Sequence, residues 1–426
     1  MKFSTLSLRA VAVRLASLLM VMAMSVAVSS CGSDDSDDDI IDGPDKLVKS
    51  RTVLVYMVAN NTLGTNWACD EADFKEMIEA VKNNDLGDGR LLVYHNPPRC
   101  SETRPCQLYE VTAEGLKTLK AYPYAEPGES MTSERMTEVM ADMKKLATAA
   151  SYGLVLWSHA DNWLGNTGDT DSRYRGFGED AGYRMSVPTL ARSLANEQLA
   201  FIYFDCCLMG SVEVLYEMRH ITPLAVASPT ELGIDGMPYH KNVPVMFDRS
   251  LTDEEQCIRM AENTFDYYKN HPTECSGSSS CQKTDECQMT VVRLDRIGRL
   301  AKASCDIMRT VTKLPSSLSS LQNYGGTWSN WGAYDMDDYM ALLAPADADN
   351  PGVESALLTA WRAALAETVV YKATSATNIN GTSMRRYCGL GSYAMTNVNQ
   401  ASWRSYNTLS WWDDVVSKAP VFADNN

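Results

Sequence analysis

One stretch constrains this chain more than any other: residues 199–210, LAFIYFDCCLMG. Its apolar part, residues 199–204, is aromatic and β-branched and too short for a stable helix. It reads as a strand buried on both faces, as strands inside parallel sheets are. The run stops at Asp205, Cys206 and Cys207, and a helix is expected to start near Gly210 and continue through SVEVLYEM. Open α/β sheets place reactive groups at the carboxyl ends of such strands. A helix N-terminus just beyond would lower a thiol pKa.

A second stretch has the same shape. Residues 153–157, GLVLW, are short and apolar and end in Ser158, His159, Ala160 and Asp161. The chain between the two strands is long enough for a crossover helix. His159 and Cys207 are therefore expected at the tips of two strands of one sheet. That is the arrangement a nucleophilic Cys–His pair needs, in which an imidazole takes the thiol proton and later protonates the leaving amine.

The rest of the chain frames this pair. A length of 426 residues suits one large α/β domain with an accessory part. A net charge of −16 argues against nucleic acid or an anionic membrane surface as partner. Seven aspartates fall between Asp34 and Asp45, so part of that charge is local. The first 31 residues form a leader: Lys2, Arg9 and Arg14 precede an apolar stretch at 15–28 too short to span a bilayer well. The following Val28-Ser-Ser-Cys31 resembles a bacterial lipobox, which makes Cys31 the expected lipid-bearing residue of an exported lipoprotein. Residues 32–50 are acidic and unable to fold. They resemble a surface-export signal and form a tether of at most about 60 Å. The expected location is the outer membrane or cell surface.

Of the twelve cysteines, Cys100 and Cys106 bracket a short loop and are candidates for a disulfide in an oxidising setting. Cys275, Cys281 and Cys287 lack zinc-site spacing, and no metal is expected there.

Along the chain, strands are expected at 51–58, 90–94, 107–111, 115–119, 153–157, 199–204, 224–228, 289–294 and 392–396. Helices are expected at 67–83, 132–149, 186–194, 252–269, 298–313, 335–343 and 408–417. Residues 162–184 read as a long polar loop beside the strand tips, and residues 229–239 as another loop on that edge. The alternation of β and α elements predicts a mostly parallel sheet with helices on both faces. Residues 51–250 make the core, and 251–426 an extension that packs on the sheet or extends it. His95, His220, His240 and His271 read as structural. Trp157 and Trp163 flank His159 and read as core, or as walls of a cleft.

The blocks TVLVYMVANN, LVLWSHADNW, FIYFDCCLMGSVEVLYEM and VASPTELGIDGMPY together resemble the clostripain family of cysteine peptidases. VVRLDRIGRL, DMDDYMALL and the terminal GLGSYAMTN blocks continue the likeness, which spans about residues 51–418. The resemblance implies a caspase-like three-layer α/β sandwich and a surface-tethered endopeptidase cutting after Arg or Lys. By it, Cys207 is the nucleophile, His159 the base, and Cys206 a spare thiol facing away. The backbone N–H groups of Ala160 and Cys207 are the oxyanion donors. Asp205 lines the pocket for a basic P1 side chain, where an apolar side chain would leave a buried carboxylate unpaired; Thr230, Glu231 and Trp157 border the substrate.

The family has Gly-Gly after its histidine, and this chain has Ala160-Asp161; an alanine held at positive φ there would be strained. The family also implies self-cleavage at Arg173, Arg175 or Arg184, and Ca²⁺ dependence in some members, for which Asp169, Asp171, Glu179 and Asp180 are candidates though their spacing fits no calcium loop. No cofactor is required for the chemistry, and a monomer is expected. The alternative is a surface lipoprotein of the same fold that binds peptides or proteins without cutting them.

Overall fold

The computed structural model describes residues 50–84, 86–163, 176–270, 285–325, 333–347 and 354–425, without the side chains of 402–405 and 424–425. They lie in a single compact unit that begins at Val48. The leader, Cys31 and the acidic tether fall outside them, as do Arg173, Arg175, Asp169, Asp171, His271, Cys275 and Cys281. No helix among the described residues is long and apolar enough to cross a membrane.

The strands are β1 (Thr52–Val58), β2 (Arg90–Asn96), β3 (Cys106–Thr112), β4 (Gly115–Tyr122), β5 (Tyr152–Trp157), β6 (Phe177–Asp180), β7 (Tyr183–Met185), β8 (Phe201–Asp205), β9 (Leu224–Ala227), β10 (Gln288–Arg293), β11 (Ala333–Asp335), β12 (Val369–Thr374) and β13 (Gly391–Tyr393). Nine of them form one sheet in the order β12-β10-β9-β8-β5-β1-β2-β3-β4. The central five, β9 to β2, are parallel. An antiparallel pair closes each edge. The first five strands of the chain thus fill one half of the sheet and the last four the other, meeting at β5–β8.

Both sheet faces are covered, which explains why the central strands read as near-continuous apolar runs. Leu54, Leu154, Ile202 and Phe204 face one core; Val53, Val155, Phe201 and Tyr203 face the other. On the first face pack helices Ser133–Leu146, Ile297–Met308 and Ala356–Thr368; on the second, Cys69–Asn83, Tyr239–Phe247 and Asp253–Asn270. Gly153 pairs with Phe201, and a Cβ at Gly153 would come within 2.5 Å of that ring. The missing side chain is what admits the phenyl ring at this register. The same end of the sheet is anchored by Arg51, wholly buried, with its guanidinium 5.6 Å from the centre of the Phe201 ring. Its guanidinium donates to Ser151 Oγ at 2.9 Å, the Met246 carbonyl at 3.1 Å and Asp253 at 2.6 Å.

Four sequence expectations need correction. The helix expected at 67–83 is two helices, Thr62–Trp67 and Cys69–Asn83. They are parted by Ala68 at φ 51°, whose N–H closes back on the first helix. The polar loop at 162–184 ends in a hairpin, β6–β7. The stretch read as loop up to residue 239 leads directly into helix Tyr239–Phe247. The last strand is shorter than expected and pairs with β11 apart from the main sheet. Residues after 250 extend the sheet through β10 and β12, and neither β12 nor its preceding helix was anticipated.

Replacing Arg51 by methionine leaves the Met246 carbonyl and Asp253 without their donor. We expect a loss of about 2–4 kcal/mol in unfolding free energy by urea titration.

Candidate active site

Trp157 pairs with Asp205 across the parallel β5–β8 ladder. Two residues further along each strand, His159 and Cys207 leave the sheet at equivalent steps and line one cleft of about 360 Å³. Side-chain alternation sends the neighbouring Cys206 into the opposite core, where it is 4% exposed. Leu208 takes a left-handed backbone, φ 66°, and its N–H and that of Gly210 bond to the Thr230 and Ser228 carbonyls at the end of β9. This turn delays the next helix, Val212–Glu217, which is capped by Ser211.

One expectation is corrected: the helix begins only at Val212, and burial pushes the Cys207 thiol up to about 12, with Glu231 and Asp161 adding to the rise. Its Sγ accepts the Leu232 N–H at 3.4 Å. Burial also lowers the His159 imidazole below its ordinary value. Thiol and imidazole are therefore both neutral at rest.

Two side chains found by geometry, not by sequence, hold the imidazole and its surroundings. Thr62, at the start of the helix after β1, places Oγ1 2.7 Å from His159 Nε2. Its only sequence signal was the Asn60-Asn61 break after the first strand. Arg184, on β7, pairs with both Asp161 and Glu179. Those carboxylates act to raise the His159 pKa, and the guanidinium acts to lower it. Arg184, one of three candidate self-cleavage sites, is thus committed to two ion pairs. Glu179 and Asp180, offered as calcium ligands, are committed as well: Asp180 accepts from Asn60 at 2.8 Å and from the Ser130 N–H at 3.2 Å.

The Ala160-Asp161 segment carries no strain at Ala160. The positive φ, 64°, falls on Asn162, a residue type that tolerates it. Asn162 Oδ1 accepts from Ser211 Oγ at 2.6 Å and from the Trp163 N–H at 2.8 Å. Gly178 donates its N–H to the His159 carbonyl, and the Asp161 N–H bonds to Gly176. Among the described residues the N–H groups of Ala160 and Cys207 bond to nothing, as donors kept for a ligand would.

The cleft floor is Asp205, 5% exposed. The Met237 N–H (2.8 Å) and Tyr239 hydroxyl (2.9 Å) bond its two oxygens, yet burial raises the carboxyl to about 7. Trp157 lines the cleft and donates Nε1 to buried Asp73 at 2.6 Å. Glu231 also lines it. Thr230 does not: Gln288 Oε1, at 2.7 Å, and Ser228 draw its hydroxyl inward, and it is wholly buried. Trp163 packs in the core against Tyr393 and Tyr406. His95 and His240 pair with Asp70 and Glu76 away from the cleft. Cys100 and Cys106 bring their sulfurs to 3.5 Å of each other.

Comparison with known proteins agrees with this architecture. The clostripain family model, Peptidase C11, matches residues 55–419. A secreted C11 cysteine protease from Bacteroides thetaiotaomicron, solved with an irreversible peptide inhibitor, is 26% identical. That match covers 86% of this chain and 98% of that one, with a TM-score of 0.70. An inactive zymogen C11 protease from Parabacteroides distasonis is 24% identical over 86% of this chain and 99% of that one, with a TM-score of 0.69. No curated protein matches the chain.

Removing Arg184 leaves Asp161 and Glu179 uncompensated beside the imidazole. In Arg184→Ala, the His159 titration followed by NMR should move to higher pH, and adding Asp161→Asn with Glu179→Gln should return it.

Proposed function

The chain belongs to the clostripain family of cysteine peptidases, and from that membership we propose that it is an endopeptidase cutting after Arg or Lys through Cys207 and His159. The observation that carries this reading is the exit of both side chains at one step of adjacent strands, over a cleft floored by Asp205. His159 takes the proton from Cys207 as sulfur attacks the scissile carbonyl carbon. The oxyanion settles between the N–H groups of Ala160 and Cys207. The intermediate collapses as the imidazolium protonates the leaving amine, giving a thioester, and water activated by His159 then hydrolyses it.

Asp205 pairs with the cationic P1 side chain. An apolar P1 forfeits that charge-assisted contact in a dry pocket. Thr62 acts as a positioning residue: by accepting Nε2–H it leaves Nδ1 as the basic nitrogen toward sulfur. The chemistry as written uses no cofactor; Ca²⁺ enters the proposal only as a structural ion for the polar loop. The leader and Cys31 support lipid anchoring at the cell surface, with residues 32–50 as spacer. Self-cleavage after Arg173, Arg175 or Arg184 belongs to the same proposal.

A fluorogenic panel with Arg, Lys, Asp or Ala at P1 tests this. Turnover should be confined to Arg and Lys, stop on thiol alkylation, and vanish in Cys207→Ala, which should also stay unsplit on storage. Absence of turnover by folded protein, with reductant and with or without Ca²⁺, would leave only a binding protein. Because Asp205 is protonated below about pH 7, kcat/KM for Arg substrates should climb as pH rises through 7. An acidic limb unchanged in Asp205→Asn would contradict the P1 assignment. Thr62→Val should lower kcat by roughly tenfold with KM unchanged, as loss of one orienting hydrogen bond does.

A further inference from the structure

The cleft carries more negative charge than one cationic side chain uses. Among the described residues its lining includes three carboxylates, Asp161, Asp205 and Glu231, and no lysine or arginine. Their situations differ. Asp161 is cancelled by Arg184. Asp205 is closed in by the Met237 N–H and the Tyr239 hydroxyl at the floor. Glu231 is half-buried; it accepts a hydrogen bond from Asn380, and no cation of the described residues pairs with it.

The placement of Glu231 gives this charge a use. It immediately precedes Leu232, whose N–H touches Cys207 Sγ. At the other end of the same segment, Gly236 lies against Asp205 so closely that a Cβ there would come within 2.9 Å of Oδ1. The segment from 231 to 236 therefore runs from the sulfur to the cleft floor with one acid at each end. A lone carboxylate beside a thiol opposes the thiolate, and Glu231 is the foremost charged group doing so at Cys207. A cation carried by the substrate removes that opposition at the moment of binding.

We propose that Glu231 forms a second cation subsite, so that the preferred substrates are peptides with paired basic residues, one at P1 on Asp205 and one adjoining it on Glu231. The inference rests on the P1 assignment above. It links recognition to reactivity, because only a substrate with two cations both fills the floor and relieves the nucleophile.

The test uses internally quenched peptides with Arg fixed at P1. Arg or its neutral isostere citrulline is placed at P2 and, in a second pair, at P1′. The cation should raise kcat/KM by about five- to twentyfold at one of these positions, the range of a partly desolvated ion pair. Glu231→Gln should bring that ratio to about one and speed alkylation of Cys207 by iodoacetamide. Glu231→Asp, which keeps the charge, should retain part of the preference. Ratios near one at both positions, or a preference that survives in Glu231→Gln, would overturn the inference alone. Failure to cleave any peptide with Arg at P1 would overturn the peptidase reading and this inference with it.

Discussion

The parallel pairing of β5 with β8 is the constraint on which the candidate site depends. Side chains alternate along a strand, so a slip of one residue would exchange Cys207 for Cys206 and His159 for Ser158 or Ala160. Hydrophobic pattern alone does not forbid the slip, because both faces of these strands are buried. The fit of the Phe201 ring over Gly153 does. A side chain is missing at one strand position, and the two strand tips six residues further along are thereby put in register.

Burial then sets the electrical state of the site. It holds Cys207 as a thiol and His159 as a neutral imidazole. A thiol shifted in this direction is a weak nucleophile until it loses its proton. Beside the imidazole the charges are cancelled locally, with Arg184 between Asp161 and Glu179. Asp161, in place of a family glycine, is tolerable because a guanidinium reaches it from another strand.

How much of this was legible in the sequence follows from what is local and what is not. The central strands announced themselves as unbroken apolar runs, and their tips as abrupt polar stops. The family blocks then singled out Cys207 over Cys206, and the sheet alternation agrees. What escaped depended on contacts between distant segments. Thr62 meets His159 across almost a hundred residues, and nothing in its neighbourhood distinguishes it. The pairing of Arg184 with Asp161 was not legible because it joins two ends of the polar loop. Thr230 was misplaced because Gln288, far along the chain, turns its hydroxyl inward. The thiol pKa was misjudged because burial at the strand tip, which raises it, depends on distant segments and is invisible in the sequence.

The strand order carries a further consequence. No strand from the first five is interleaved with one from the last four, and the only ladder between the two sets is β5–β8. Each set comes from one continuous stretch of polypeptide, with the imidazole on one and the sulfur on the other. A break in the covalent chain between them would sever no ladder of the main sheet, and each fragment would keep its own set of strands, the two meeting along the β5–β8 seam.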